Sequence, residues 1–343
     1  MTTTDSSGFA AVMRIREIAM SAGYAAALRA AAQLKIADAF EESADVAELA
    51  AAVNAEPDAL GRLLRALVCH GVLTEDEQGR FHHTDLSLLL RDGAPRSLRH
   101  MVLWATEPWT WEMWGHLDKA VRTGKGISQE LYGKEFFTYL HEDAPESAEV
   151  FDQAMTQSSR LSAKAVAATL DLSSARKVVD IAGGQGHTLA TVLEQNPHLE
   201  GVLFDLPDVV ANADGRLRTG GELAGRVALV AGDCRNGVDV DADVYILKNI
   251  LEWDDDSTVT TLRNVAAKGR PGARVIVIEN LLDGSPEMKF TTAMDLLLLL
   301  NVDGRKHTKD GLVGLVKQAG LQVQDVRPAG PYLHLIESTI PAR

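Results

Sequence analysis

Apolar residues recur at helical spacing over roughly the first hundred positions. Tyr24, Leu28, Ala31, Leu34 and Ala37 fall on one helical face. Asp45 sits where a helix cap belongs, ahead of a predicted helix over 46–53. Glu56-Pro57-Asp58 opens a second helix, whose stripe is Leu60, Leu63, Leu64, Leu67 and Val68, and Gly71 ends it. The period then shortens, and 72–74 and 80–83 read as two short strands around an acidic turn closed by Gly79. Residues 1–8 are small and polar and read as unstructured. Helices fill 106–165, broken at Gly124, Gly126 and Gly133. From about 172 the pattern alternates. Apolar runs at 177–182, 201–205, 227–230, 244–247, 274–279, 321–326 and 332–336 read as strands, with helical stretches between the first five and before the sixth. Fully apolar strands alternating with helices imply a parallel sheet covered on both faces. Only Arg327-Pro328-Ala329-Gly330-Pro331 joins the last two runs, too short for a helical crossover, so those strands are predicted antiparallel.

The domain plan is therefore an N-terminal unit over 1–105, a helical connector over 106–165 and an α/β unit over 166–343. Helix, helix and small hairpin is the winged-helix pattern. It raises the possibility of a DNA-binding regulator, which charge opposes. The chain carries 34 Lys+Arg against 48 Asp+Glu, a net of −14. Residues 1–100 hold 10 basic and 14 acidic side chains, with no basic recognition face. Nucleic acid is thus not an expected partner. Two cysteines, Cys69 and Cys234, exclude a disulfide framework and a cysteine-rich zinc site, and fit a reducing cytoplasm. No His or Cys pair has metal-ligand spacing with a carboxylate partner, so no metal is expected. No signal-peptide pattern opens the sequence, and the apolar run at 293–300 contains Asp295 and is too short to span a bilayer.

Candidate chemistry begins at Val178-Val179-Asp180-Ile181-Ala182-Gly183-Gly184-Gln185-Gly186-His187, which follows a strand and opens a helix. Glycines there let the backbone pass close beneath a ligand at the strand's carboxyl end. Asp205 ends the second strand, 19 residues after Gly186, where a carboxylate can accept ribose hydroxyls. Gly232-Asp233 ends the third, where an adenine edge would lie. Thr188 stands where a dinucleotide fingerprint needs its last glycine, and no phosphate-binding Lys-Ser/Thr follows.

With these features the sequence resembles the class I S-adenosylmethionine-dependent methyltransferases, and more closely the small-molecule O-methyltransferases of plant and bacterial secondary metabolism. The resemblance covers almost the whole chain. Asp58–Leu67 with Gly71-Val72-Leu73-Thr74-Glu75 and Ala94–Arg99 resembles the family's dimerisation domain. Leu203-Phe204-Asp205-Leu206-Pro207, Trp253-Asp254-Asp255 and Pro271-Gly272 resemble its signatures. The resemblance implies a Rossmann-like seven-stranded sheet whose last two strands are antiparallel, a winged-helix-like dimerisation domain, a homodimer, and S-adenosylmethionine as cofactor. It implies that Asp180 belongs to the cofactor site, that Gly183, Gly184 and Gly186 line the methionine end, and that Asp205 holds the ribose. Leu206 then lies against the adenine, Gly232, Asp233 and Cys234 flank it, and Lys248 lies near the cofactor. Trp109, Phe151, Met155, Trp253, Met294 and Leu298 are implied pocket residues. Trp104, Trp109, Trp111 and Trp114 can either wall a flat aromatic acceptor or pack helices and an interface.

In this family a histidine after the fourth strand takes the acceptor's proton. Here the segment reads Leu247-Lys248-Asn249-Ile250-Leu251-Glu252-Trp253: it is one residue short and has no histidine. Counted forward from Lys248, Glu252 takes the histidine's place; counted back from Trp253, it takes that of the aspartate that follows; Glu279 is kept, and the third, acidic position falls at Lys306. Glu252 and Glu279 are accordingly the candidate catalytic residues. Glu252 can be the base itself, its pKa raised by burial. Alternatively the acceptor needs little base: a phenol acidified by neighbouring carbonyls, a carboxylate, an amine or an activated carbon, so that C- or N-methylation stays open. The fold can also serve non-methylating chemistry such as hydroxylation, decarboxylation or cyclisation, or be catalytically silent. His307 is a further candidate, opposed by its basic neighbours.

Overall fold

The computed structural model describes residues 3–283, 286 and 288–342. The chain forms two compact units, Met1–Trp111 with Glu149–Gln157, and Glu112–Ala148 with Ser158–Arg343.

In the first unit the expected helices form at Val46–Val53 and Pro57–Cys69. The first is closed by a capping box, in which Asp45 Oδ1 accepts the Glu48 N–H (2.9 Å) and Glu48 Oε2 accepts the Asp45 N–H (2.8 Å). Proline opens the second, and the Glu56 carboxylate accepts the free N–H groups of Asp58 and Ala59. Leu49, Leu60, Leu64, Leu73 and Phe81 fill the core between them and a three-stranded sheet. The wing strands are β2 (Leu73–Glu75) and β3 (Phe81–His83); β1 (Ser43–Ala44), a two-residue strand without period of its own, was not legible in the pattern. One expectation is overturned: residues read as unstructured belong to a helix, Thr3–Ala19, while Met1 and Thr2 lie outside the described residues. Phe9, Val12, Met13, Ile15 and Ile18 of that helix are exposed.

The second unit is built on β4 (Lys177–Ile181), β5 (Glu200–Asp205), β6 (Val227–Ala231), β7 (Val244–Lys248), β8 (Arg274–Glu279), β9 (Gln322–Pro328) and β10 (His334–Thr339). Its order is β6-β5-β4-β7-β8-β10-β9. The first five pair in parallel, and β10 runs antiparallel to both neighbours, so the expected seven-stranded sheet is present. The strands are apolar because helices cover both faces. Val179, Ile181, Tyr245 and Val277 face one core, and Val178, Leu203, Ile246 and Ile278 the other. Parallel pairing aligns the carboxyl ends of β4 to β8 on one edge, and every candidate catalytic and cofactor residue lies at that edge or in the loops leaving it. Among the described residues no helix is long and apolar enough to cross a membrane.

Candidate active site

The glycine loop leaves β4 along a path most residues resist. Ala182 has φ +49°, Gly184 +61° and Gly186 +83°. Gly183 is required by space: a Cβ there would lie 2.5 Å from Asp180 Cγ and 2.8 Å from Leu203 Cδ1. Asp205 fixes the bend from the next strand, its Oδ2 accepting the Gly184 N–H and its Oδ1 the Leu206 N–H, both at 2.7 Å. Asp180 lies buried beneath the loop, and its Oδ2 has no hydrogen-bond partner among the described residues. Burial pushes its carboxyl up to about 7; the Asp205 charge adds to this and the Lys248 charge opposes it.

His187, the first residue of the following helix, is buried, with Nδ1 2.6 Å from Asp214 Oδ2. Arg216 holds the same carboxylate at 2.7 Å. Asp214 also donates its N–H to the Gln185 carbonyl at 2.7 Å, so this cluster braces the glycine loop from outside.

At the ends of β5 and β6, Leu206 is partly exposed and Gly232 packs on Phe204, where a Cβ would lie 2.5 Å from the ring. Asp233 accepts from the Arg235 backbone N–H (2.9 Å), the Arg235 guanidinium (3.2 Å) and Asn236 Nδ2 (3.2 Å). Arg235, which the sequence patterns did not single out, also stands 5.7 Å over the Trp253 ring and 3.4 Å from Glu135. Cys234 is buried, and burial, with the charges of Asp233 and Asp205, pushes its thiol up to about 12. Its thiol therefore stays protonated and is not a nucleophile.

At the ends of β7 and β8, where no histidine stands, the structure builds an ion pair. Glu252 Oε1 meets Lys306 Nζ directly, with both side chains largely buried. Burial alone would lower Lys306, but the charges of Glu252 and Glu279 outweigh it and hold the ammonium above its usual range. Glu279 Oε1 accepts the N–H groups of Ile250 and Leu251, each at 2.9 Å, and so pins the loop that carries Glu252. Burial, reinforced by the Glu252 charge, raises the Glu279 carboxyl well above the usual carboxylate range. Lys248 sits half-buried among Asp180, Glu279 and Glu252; burial lowers its pKa against their attraction.

Asn249 has φ +54° and a buried side-chain oxygen without a partner among the described residues. Asp303 has φ +55° in the loop before Lys306. Among the described residues five non-glycine residues have positive φ, and three of them, Ala182, Asn249 and Asp303, lie in the loops around this edge.

The residues expected to face an acceptor are described unit by unit. Trp253 and Met294 are half-buried and Leu298 is buried in the second. Trp109 is buried and Phe151 and Met155 are half-buried in the first, where Trp104 also packs edge-on to Phe151 at 6.2 Å. His307 is buried, and burial lowers its pKa. Among the described residues no cluster of three or more His, Cys, Asp or Glu side chains can hold a metal ion.

A parallel sheet with a glycine loop after β4, carboxylates after β5 and β6, and β10 reversed defines the class I methyltransferase architecture. Comparison with known proteins agrees and goes further. Residues 114–322 match the O-methyltransferase domain family, and residues 18–92 the O-methyltransferase dimerisation domain. The chain is 35% identical over 326 residues to the mitomycin biosynthesis 6-O-methyltransferase of Streptomyces lavendulae, covering 94% of this chain and 92% of that one. It is 36% identical over 317 residues to aclacinomycin 10-hydroxylase RdmB of Streptomyces purpurascens, covering 89% and 83%. Among solved structures, the mitomycin 7-O-methyltransferase MmcR superposes with a TM-score of 0.88 at 34% identity over 98% of this chain and 99% of that one. The chain belongs to the S-adenosylmethionine-dependent O-methyltransferase family and is an enzyme of that class.

Proposed function

We propose that this enzyme transfers the methyl group of S-adenosylmethionine to a hydroxyl oxygen of a small aromatic metabolite. The observation that carries the reading is the row of ligand-ready groups along one sheet edge: the glycine cradle and Asp205 on one side, the Lys248, Glu252, Glu279 and Lys306 cluster on the other. Related enzymes are named for aromatic hydroxyl acceptors, among them 3-amino-4-hydroxybenzoate and a dihydroxynaphthoate. CalO1 and NcsB1 are solved with S-adenosylhomocysteine or S-adenosylmethionine bound.

The cradle fits the cofactor: Gly183 has no room for a side chain, and the Asp180 carboxyl buried beneath it keeps one oxygen without a hydrogen-bond partner among the described residues. In this reading Gly183, Gly184 and Gly186 seat the methionine end, Asp205 takes the ribose, and Leu206, Gly232, Asp233 and Cys234 frame the adenine. Lys248 stands beside the cofactor and Trp253, Met294 and Leu298 face the acceptor. The cofactor supplies an electrophilic methyl on sulfur; the chain's own residues align it with the acceptor oxygen and keep water away. Calorimetric titration of S-adenosylmethionine tests this. Asp205→Ala is expected to weaken binding about 10–100-fold, the loss of charge-assisted hydrogen bonds. Active preparations should yield a product heavier by one CH₂ unit. A gain of one oxygen would instead place the chain with its hydroxylase relative, and a wild-type protein that gives no binding heat contradicts the reading outright.

The Asp180 shift gives a pH dependence. Its folded pKa of about 7 lies above its unfolded value, so the ligand-free protein loses stability as pH climbs from about 4 to about 7. A bound cation favours the carboxylate, so below about pH 7 binding expels the proton and affinity tightens as pH rises. Calorimetry near pH 6 in two buffers of different ionisation heat should register release of up to about one proton. Proton uptake would contradict this.

The exposed apolar residues of the Thr3–Ala19 helix are proposed to pack on a second copy, continuous with the matched dimerisation domain. Removing residues 1–19 should convert a sedimenting dimer to a monomer; a full-length chain that sediments as a monomer contradicts it. A reducing cytoplasm suits the two free thiols.

A further inference from the structure

The Glu252–Lys306 pair closes off the most direct substitute for the missing histidine. Counted forward from Lys248, Glu252 falls where the histidine would stand, yet its Oε1 is held by the buried Lys306 ammonium. A proton landing on Glu252 would take from the buried ammonium the one carboxylate it directly contacts, leaving only the charges of Glu279 and Asp295 nearby, a costly change for a buried ion pair. The pair is built into the backbone. The Lys306 N–H donates to Asp295 Oδ1 (2.7 Å), on the helix that also carries Met294 and Leu298, and the Arg305 N–H donates to the Glu252 carbonyl (3.1 Å). Gly304 lets the two loops touch, since a Cβ there would overlap the Glu252 carbonyl oxygen. The other charged neighbours are engaged as well. Glu279 from β8 holds the loop backbone, and Lys248 from β7 lies among three carboxylates. Arg305 faces Asp255 at 3.7 Å, and His307, also facing Asp255, is buried with a lowered pKa.

We infer that Lys306 is a specificity-determining residue: by occupying Glu252 it selects acceptors whose reacting oxygen is already ionised, aromatic hydroxyls acidified by conjugation with a ring carbonyl. The inference rests on the methyl-transfer reading above and names its substrate class. The hydroxyl proton leaves to solvent before the acceptor is seated. An oxygen lone pair then forms the O–CH₃ bond as the S–CH₃ bond breaks, and sulfur keeps the bonding pair, giving a methyl ether and S-adenosylhomocysteine. The site need only align the two partners.

The test uses the wild-type enzyme with S-adenosylmethionine and a panel of acceptors. On one-, two- and three-ring skeletons it pairs a hydroxyl conjugated to a ring carbonyl with the plain phenol of the same skeleton; 2-hydroxy-1,4-naphthoquinone and 2-naphthol are one such pair. S-adenosylhomocysteine formation is followed against pH. With S-adenosylmethionine kept saturating at every pH, the conjugated members are expected to react at a rate flat from about pH 6 to about pH 8, at least about tenfold faster than their partners near pH 7, while the plain phenols gain about tenfold per pH unit as their own phenolate fraction grows. Plain phenols turned over as fast as conjugated ones, with one shared enzyme pKa in both profiles, would overturn the inference and leave the methyl-transfer reading standing. Binding of the cofactor with no turnover of any member would overturn both.

Discussion

Lys306→Met is expected to cost about 3–5 kcal/mol of folding stability, because it leaves the Glu252 carboxylate largely buried, next to Glu279 and without its cation. The loss should be mostly recovered in Glu252→Gln/Lys306→Met, where no charge is stranded, to within about 1–2 kcal/mol of the parent. Denaturant unfolding of the parent, both single variants and the double variant closes the cycle, and a large favourable coupling between the two positions is the expected outcome. A Lys306→Met protein as stable as the parent would show that the pair is solvated and that Glu252 is free to act as a base.

The second large effect is on the cofactor. In Gly183→Ala the new methyl would sit 2.6 Å from Asp180 Oδ2 and 2.8 Å from Leu203 Cδ1. Neither neighbour can retreat, since both belong to the fully packed sheet. The loop itself must move, with a stability loss of about 1–3 kcal/mol. Affinity for S-adenosylmethionine should drop by roughly 100-fold, about 3 kcal/mol. Gly184→Ala is the informative contrast. It has open space around the added carbon but φ +61°, so it should cost only about 1–2 kcal/mol of backbone strain and keep the loop's path. Equal cofactor affinities for the two variants would contradict the assignment of Gly183 to close packing.

The large elements of this fold were legible because their physics is local. The strands announced themselves as apolar runs between helices, and β4 to β8 begin and end within a residue of where the pattern places them. The glycine loop and its following aspartate were legible because spacing along the chain sets their geometry. What escaped was of two kinds. The Thr3–Ala19 helix starts in Thr, Asp, Ser and Gly, residues with weak helical preference, and shows no apolar stripe buried within the chain. The bracing of Gln185 by Asp214, the Arg235 contact with Asp233 and Trp253, and the Glu252–Lys306 pair depend on side chains meeting across loops. The last joins positions 54 residues apart, and no periodicity encodes that. The sequence flagged Lys306 as an oddity; only the structure shows that it answers Glu252.

The glycine loop is braced by the chain's own hydrogen bonds. Asp205 holds the Gly184 N–H, and Asp214, itself clamped by His187 and Arg216, holds the Gln185 carbonyl. Its conformational entropy is therefore surrendered during folding and not at the moment of capture. Cofactor association should then follow encounter kinetics, rising linearly with concentration and showing no plateau from a slow loop closure.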